Sequence, residues 1–206
     1  MEMKKEIRTF NFEIRAAEDE DHGHVLLGQP IVYEQKTDLG WYNEVIARGA
    51  LDNTDLKDVR FLVNHNTDMI PLARSRNNNE NSTMQMEVSD DGMSIRVDLD
   101  IDNNTEAKSL YSAVERGDID GMSFMFTVDS DKWEDLETEH PTRTITAFNR
   151  VFEVSAVTFP AYEQTSIQAR GLSEALDNAK DSLENAKAER RAIEAQKQKI
   201  RILSEM

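Results

Sequence analysis

The sequence of 206 residues contains no cysteine. Disulfide bonds, thiolate zinc sites and a cysteine nucleophile are therefore excluded, and covalent catalysis would depend on Ser, Thr, Lys or a carboxylate. Long apolar runs are missing as well, because no segment approaches the roughly 20 residues that span a bilayer. The basic pair Lys4-Lys5 is followed by no apolar segment of the kind that a signal peptide requires. We therefore expect an intracellular protein.

Positive charge is scarce, with 24 Lys and Arg against 40 Asp and Glu and a formal net charge of -16. Nucleic-acid binding needs clustered cations that neutralise phosphates, so this charge argues against such a partner. Residues 172–206 contain seven acidic and seven basic side chains, and the whole acidic excess therefore lies in residues 1–171. The length fits one domain, or one domain with an appendage.

Most of the chain before residue 160 alternates between apolar and polar positions, as β-strands do. The stretch EIRTFNFEIRA alternates, and VLLGQPIVYE contains a Gly and a Pro that predict a bulge or bend. MQMEVSDDGMSIRVDLDI predicts a β-hairpin with Asp91-Gly92 at its turn. Two further strands are predicted at GMSFMFTVD and TRTITAFNRVFEVSAVTF, separated by an acidic loop with Trp133 and His140. The second arm of the hairpin directs four apolar residues to the core: Ile95, Val97, Leu99 and Ile101.

The acidic stretch EDEDHGH places His22 and His24 beside four carboxylates. These groups are able to bind a metal ion, but their spacing matches no specific ligand signature, and a solvated hairpin tip is the simpler interpretation. A metal-dependent hydrolase built on this stretch remains one alternative. We predict neither a metal nor a cofactor.

Two segments have helical patterns. NNTEAKSLYSAVERGDIDG predicts a short amphipathic helix, with Asn103 as N-cap, Glu106 three residues later and Gly117 as the stop. From Gly171 onward strong helix formers dominate, which predicts one long helix. We expect this helix to extend from a β-domain of residues 1–170 and to bind a partner. Its seam has coiled-coil spacing, although Ala, Arg and Lys weaken it. The seam positions are Leu172, Leu176, Ala179, Leu183, Ala186, Arg190, Ile193, Lys197 and Ile200.

One histidine follows an apolar strand, in the stretch RFLVNHN. Strand alternation places Phe61, Val63 and His65 on one face, so the imidazole would be half-buried and would need a partner. A lone histidine of this kind is most often a hydrogen-bonded structural residue.

A serine lies at the start of another strand, in DIDGMSFMF. Gly121 and Ser123 partly match the G-x-S-x-G nucleophile elbow, but Met125 occupies the position of the second glycine. The elbow also requires a strand, a sharp turn and then a helix, whereas here a helix precedes and a strand follows. An α/β-hydrolase is therefore rejected.

A carboxylate lies on a strand with two apolar faces, in NRVFEVSAVTFPA. Burying Glu153 would cost several kcal/mol unless it is paired or hydrogen-bonded. Ser123, His65 and Glu153 together would supply a nucleophile, a general base and a carboxylate that orients the imidazole. The alternative is three unrelated buried polar residues, each satisfied locally.

Four blocks of the sequence together resemble the prohead maturation proteases of tailed bacteriophages. They cover about residues 30–170 and read VIARGALDNTDLKDVRFLVNHN, PLARS, SLYSAVERGDIDGMSFMF and FEVSAVTFPAYEQTSI. These proteases are serine peptidases that share the fold of the herpesvirus capsid protease, assemblin. The resemblance implies a compact, mostly antiparallel β-barrel with short flanking helices, followed by the long helix. The sequence departs from the family pattern at three positions. The family tends to have Phe at the position of Leu51, and Gly at the positions of Ala73 and Met125.

Carried over to this chain, the resemblance implies Ser123 as nucleophile, His65 as base and Glu153 as third member. Asp120 and Ser155 lie near enough in sequence to act as supporting groups. No block identifies an oxyanion hole. Arg74 and Arg150 are candidates for shaping one, but they are better interpreted as surface or salt-bridge residues.

The implied activity is cleavage of scaffold segments and of the protease itself, inside a procapsid assembling in the host cytoplasm. The implied partners are the major capsid protein and the scaffold protein, and relatives regulated by dimerisation allow a homo-oligomer. The long tail would dock into helical scaffold coiled coils and concentrate the enzyme with its substrate. The rival from another class is a non-catalytic capsid-assembly module with the same fold.

Overall fold

The computed structural model describes residues 4–10, 14–19, 23–158 and 168–204. Within these residues the chain is mainly β, as the sequence predicted, and it contains eleven strands and two α-helices. The strands are β1 (Glu6–Phe10), β2 (Ile14–Asp19), β3 (Gly23–Val32), β4 (Thr37–Asp38), β5 (Asn43–Ile46), β6 (Arg60–Val63), β7 (Ala73–Arg74), β8 (Met84–Ser89), β9 (Gly92–Asp98), β10 (Gly121–Glu134) and β11 (Thr142–Val157). The helices are α1 (Thr105–Glu115) and α2 (Gln168–Ser204).

The larger sheet is built around the two longest strands. Its order is β1-β10-β11-β5-β4, and β6 and β7 extend it beside the last part of β11. The pairs β1/β10 and β10/β11 are antiparallel, whereas β5 and β6 both pair with β11 in parallel. Several register shifts between Met125 and Asp131 interrupt the β10/β11 ladder, and bulges of this kind bend and twist a sheet.

The smaller sheet is antiparallel throughout, in the order β2-β3-β9-β8. The predicted bulge in β3 is confirmed by a register shift between Gly28 and Ile31. The predicted hairpin is β8 and β9, but its turn lies at residues 90–91, and Gly92 already pairs with Ser89. Gly92 has a φ of +138°, and a Cβ there would lie 2.0 Å from the Ile31 carbonyl oxygen, so only glycine fits.

The alternating stretch EIRTFNFEIRA contributes to two strands in different sheets, β1 in the larger and β2 in the smaller, and its residues 11–13 lie outside the described residues. The core that both sheets share also includes α1. Strand pairing within the described residues leaves these two sheets separate, so the expected closed barrel is not confirmed. The largest fully buried apolar side chains are Tyr42, Phe61, Phe124, Phe126, Phe148, Leu26, Ile31, Met84, Met93, Met122 and Ile145.

Helix α1 begins one residue later than predicted. Its N-cap is Asn104, not Asn103, and the Asn104 side chain accepts hydrogen bonds from the backbone N–H groups of Glu106 and Ala107 at 3.0 and 3.2 Å. Gly117, with a φ of +76°, ends the helix as predicted. The buried stripe that faces the core is Ala107, Leu110, Tyr111 and Val114.

Helix α2 packs against the β-domain near its middle. Ala179 and Leu183 are buried, and the Trp133 indole N–H donates to the Ser182 hydroxyl at 3.0 Å. Trp133 was predicted in a loop but belongs to β10, which is longer than its apolar pattern suggested. Among the described residues, no helix is both long enough and apolar enough to cross a membrane. Beyond this contact, the exposed large apolar side chains of the described part of α2 are Ile193, Ile200, Ile202 and Leu203.

Candidate active site

Ser123 is the third residue of β10 and lies in the middle of the larger sheet. Its neighbours Met122 and Phe124 are fully buried in the core, and strand alternation turns Ser123 to the opposite face of the sheet. The Ser123 side chain is also inaccessible to solvent, at 0% exposure. Its Oγ lies 2.8 Å from the Arg8 carbonyl oxygen and accepts a hydrogen bond of 2.9 Å from the Thr9 hydroxyl, both on β1.

His65 lies beyond the end of β6, in a turn whose backbone is left-handed. The φ angles of Asn64 and His65 are +51° and +55°, so the alternation that placed His65 on the face of Phe61 and Val63 does not extend to it. The Asn64 N–H donates to the Ala156 carbonyl at 2.9 Å. The Asn64 amide also exchanges two hydrogen bonds of 3.0 Å with Thr158, so the turn is fastened to the end of β11.

The structure brings the three predicted site residues together. The Nε2 atom of His65 lies 2.6 Å from Ser123 Oγ, and its Nδ1 atom lies 2.6 Å from Glu153 Oε1. The side chains of His65 and Glu153 are 13% and 3% exposed. The Ser123 hydroxyl oxygen, the His65 imidazole and the Glu153 carboxylate therefore form one continuous hydrogen-bonded relay, in which the imidazole is partly exposed.

The pairing of three strands explains why residues so far apart in sequence meet. On β11, Ser155 is the direct partner of Ser123 on β10 and of Leu62 on β6. Glu153 lies two residues earlier on the same face of β11. The turn after β6 then brings His65 back over this face.

Glu153 has the partners that its burial requires. One carboxylate oxygen meets His65, and the other accepts a hydrogen bond of 2.5 Å from the Ser155 hydroxyl. Ser155 Oγ in turn accepts a hydrogen bond of 3.1 Å from the backbone N–H of His65. Asp120, the other predicted supporting residue, has an exposed side chain.

Thr9 and Thr158 are contacts of the site that sequence reasoning missed. Thr9 lies 114 positions from Ser123, and Thr158 lies 94 positions from Asn64. Neither is marked by a motif, and both reach the site only through strand pairing.

A buried ionic cluster fastens β1 to the sheet beside the relay. Arg8 binds Glu44 through two nitrogens and Glu6 at 2.7 Å, while Arg143 binds Glu6 at 2.8 Å and Glu44 at 3.2 Å. Burial alone raises the pKa of Glu6, but Arg8 and Arg143 outweigh it, and the net pKa is lowered. Burial also raises the pKa of Tyr42, beside this cluster, to about 12.

The arginines considered for an oxyanion hole are engaged elsewhere. Arg74 forms a two-point contact with Asp58 at 2.5 and 2.8 Å, and Arg150 lies 3.6 Å from Asp55. Both pairs are partly exposed, as expected of surface salt bridges. These contacts supply no donor for an oxyanion.

The alternative metal site lies only partly within the described residues. His22 is outside them, and the ring of His24 packs edge-on against Tyr111 at 4.8 Å. Among the described side chains, no group of three His, Asp or Glu is arranged to hold a metal ion.

Comparison with known protein families identifies the family to which the chain belongs. A family model described as caudovirus prohead serine protease matches residues 10–181, a span that includes Ser123, His65 and Glu153. Searches of curated proteins and of solved structures gave no significant match.

Proposed function

The chain belongs to the caudovirus prohead serine proteases, and from this premise we propose that it is an endopeptidase in which Ser123 is the nucleophile, His65 the general base and Glu153 the carboxylate that orients the base. The family implies a serine peptidase of phage maturation. The assignment of the three residues and of the substrates belongs to the proposal.

The observation that carries the proposal is the pair of 2.6 Å contacts at the two nitrogens of one imidazole. Glu153 accepts a hydrogen bond from Nδ1–H of His65, which leaves Nε2 free to accept a proton from Ser123. A buried serine satisfied locally would not require a histidine and a carboxylate in line behind it.

In the proposed reaction, Ser123 Oγ attacks the carbonyl carbon of a peptide bond while His65 Nε2 accepts the hydroxyl proton. The new C–O bond gives a tetrahedral oxyanion, which collapses as the C–N bond breaks and the imidazolium donates its proton to the leaving amine. Water then attacks the acyl-enzyme with His65 as base, and the carboxylic acid and Ser123 hydroxyl are released.

We take the substrates to be scaffold segments, either an extension of the major capsid protein or a separate scaffold protein, together with the protease itself. The site of action is then the interior of a procapsid assembling in the host. The net charge of -16 supports this setting, because an acidic enzyme does not compete for the DNA that later fills the shell.

The decisive experiment is co-expression with the cognate capsid and scaffold proteins, with cleavage followed by mass spectrometry. Ser123→Ala is compared with the native chain and with Ser130→Ala, which removes an exposed hydroxyl from the same strand. We expect cleavage to be lost in Ser123→Ala alone, while folding and incorporation into procapsids are kept. Cleavage that persists in Ser123→Ala would place the nucleophile elsewhere.

The second candidate function is a non-catalytic capsid-assembly module with the same fold. It is favoured by one observation: Ser123 is 0% exposed, so a peptide reaches it only after the residues over it separate. The same experiment distinguishes the two functions. Procapsids that assemble normally, with no cleavage by the native chain or by either variant, would support the module and overturn the protease.

For the tail, residues 171–206, we propose docking of the distal part of α2 into helical scaffold protein, next to a protease domain of residues 1–170. The seam residues Ala179 and Leu183 are already buried against the β-domain, whereas Ile193 and Ile200 are 52% and 66% exposed. These exposed positions continue the heptad seam and suit a coiled-coil partner.

A chain that ends after Glu189 tests this docking, because it keeps the packing of Ala179 and Leu183. We expect Ser123 of this shortened chain still to react with a fluorophosphonate, a reagent that modifies serine nucleophiles covalently. We expect the shortened chain to lose incorporation into procapsids. Normal incorporation would contradict the docking proposal without affecting the assignment of the protease.

A further inference from the structure

We propose that Ser155 is a positioning residue of the relay, which fixes the carboxylate of Glu153 and the backbone of His65 at the same time. This inference rests on the proposed function and adds a fourth residue to it. Ser155 would not touch the substrate, and its effect would be transmitted through the base and the carboxylate.

The hydroxyl of Ser155 donates one hydrogen bond and accepts another. It donates its single proton to Glu153 Oε2 at 2.5 Å, and its oxygen accepts the backbone N–H of His65 at 3.1 Å. The residue is 0% exposed, so water does not compete for either bond. A hydroxyl satisfied in both directions cannot rotate without losing one of them.

The bond to Glu153 sets the plane of the carboxylate. A glutamate side chain has three rotatable bonds, and the terminal one has a broad energy minimum. Because Oε2 is held by Ser155, Oε1 points at Nδ1 of His65 and not at another neighbour. The hydrogen bond that orients the imidazole therefore depends on Ser155.

The bond to His65 supports the backbone where the β6 ladder ends. The last ladder bond runs from the Asn64 N–H to the Ala156 carbonyl. The next N–H, that of His65, lies in a left-handed turn and finds the Ser155 side chain instead. Ser155 thus supplies the acceptor at the residue that carries the base.

Ser155 is not a rival nucleophile in this arrangement. Its hydroxyl donates a hydrogen bond to the Glu153 carboxylate, and its contact with His65 is to the backbone N–H, whereas the imidazole Nε2 contacts Ser123. Only Ser123 therefore has the base in line with its hydroxyl.

Three substitutions of Ser155 separate hydrogen bonding from packing. Ser155→Ala removes both bonds, Ser155→Cys keeps a similar volume but bonds weakly, and Ser155→Thr keeps the hydroxyl. The matched control is Ser75→Ala, because Ser75 is also 0% exposed and also accepts a backbone N–H, that of Val59 at 3.0 Å. Since the native chain has no cysteine, Ser155→Cys introduces one unambiguous thiol.

The readout is the rate at which a fluorophosphonate modifies Ser123 in the full-length chain, followed by intact-mass and peptide-mapping mass spectrometry. We expect Ser155→Ala and Ser155→Cys to react about 10- to 100-fold more slowly than the native chain, since small displacements of reacting groups have effects of this size. Ser155→Thr and Ser75→Ala are expected to react at close to the native rate. We also expect the downfield proton resonance of the His65–Glu153 hydrogen bond to disappear from the NMR spectrum of Ser155→Ala.

Folded Ser155→Ala or Ser155→Cys that reacts as fast as Ser75→Ala, with the downfield resonance intact, would overturn the positioning role while leaving Ser123 as nucleophile. If Ser155→Ala does not fold, the rate measured for Ser155→Cys decides the question. A native chain that is not modified at Ser123 would overturn the proposed function, and the positioning role with it.

Discussion

His65 reaches the other members of the relay from a backbone conformation that residues other than glycine rarely adopt. Its φ of +55° follows one of +51° at Asn64, and each left-handed residue costs about 1–2 kcal/mol. Two hydrogen bonds between Asn64 and Thr158, and one from the Asn64 N–H to the Ala156 carbonyl, hold this turn in place. Strain that its surroundings enforce in this way is typical of functional sites.

At the scale of single residues, Glu153→Gln tests the orienting carboxylate. The Gln carbonyl would accept a hydrogen bond from the Ser155 hydroxyl, and its amide would donate to Nδ1 of His65. The imidazole proton then moves to Nε2, which is no longer able to accept the proton of Ser123. We expect the cleavage rate of capsid precursor to fall by about 10⁴-fold, as for a serine protease whose base has the wrong tautomer. The measurement is single-turnover cleavage followed by mass spectrometry.

The control for this change is Glu134→Gln, which neutralises an exposed carboxylate on β10 and should leave the rate unchanged. A folded Glu153→Gln chain that cleaves within a few-fold of the native rate would contradict the role given to Glu153.

At the scale of elements, β1 is held to the sheet by charge as well as by its ladder with β10. Arg8 and Glu6 lie on β1, Glu44 on β5 and Arg143 on β11, and all four are at most 3% exposed. Burying an ion costs desolvation free energy, which is offset only when the ion has its partners. Removing one member of the cluster is therefore more destabilising than replacing the whole cluster by apolar residues.

Arg8→Met tests this attachment. The change removes the main partner of Glu44 and leaves two buried carboxylates to share Arg143. We expect the free energy of unfolding to fall by about 3–5 kcal/mol, measured by urea denaturation. Arg15→Met, an exposed position on β2, is the matched control and should change it by less than about 0.5 kcal/mol. A loss of similar size in both variants would contradict the structural role of the cluster.

Element positions that depend on local pattern were predicted well, and element ends less well. The alternation of Ile95, Val97 and Leu99 and the stripe of α1 are buried as predicted. The N-cap is Asn104 and not Asn103, because two successive asparagines offer the same cap chemistry and only the path of the chain selects one. The extension of β10 to Trp133 escaped prediction because its outer half pairs through charged and polar residues.

At the scale of the whole molecule, acid should destabilise the fold through specific carboxylates. The pKa of Asp58 is lowered, chiefly by its hydrogen bond to Arg74, and that of Glu6 is lowered by Arg8 and Arg143 against the effect of burial. A folded-state pKa below the unfolded value means that the native state binds fewer protons. The stabilisation is therefore present above the unfolded value and is lost as pH falls from about 4.5 through the lowered folded value.

Urea denaturation between pH 6 and pH 3 measures this effect, and Glu6→Gln provides the control because it cannot ionise. We expect the native chain to lose stability over this range with a steeper slope than Glu6→Gln. Asp58 contributes little, since its pair with Arg74 is partly exposed and screened by solvent. Protonation of the other carboxylates also relieves the repulsion within this acidic chain, which opposes the loss of stability. This contribution is the same in the native chain and in Glu6→Gln, so the difference between their slopes reports on Glu6. Equal slopes would contradict the role of Glu6.

Local sequence patterns specify the kind of residue and the kind of element at each point of the chain. A serine at the start of a strand, a histidine after an apolar strand and a carboxylate on a strand apolar on both faces are visible without coordinates, because burial and periodicity are local properties. The same local patterns also indicated the mainly β chain, the bulge in β3 and the long last helix.

Tertiary structure alone decided how these elements meet. Parallel pairing of β6 with β11 and antiparallel pairing of β10 with β11 place Leu62, Ser155 and Ser123 side by side, and the left-handed turn returns His65 over them. The same packing left two separate sheets where a closed barrel was expected. In these two ladders Ser155 pairs with Leu62, 93 positions earlier in the chain, and with Ser123, 32 positions earlier. These pairings depend on the free energy of the whole folded core, which no local stretch of sequence contains.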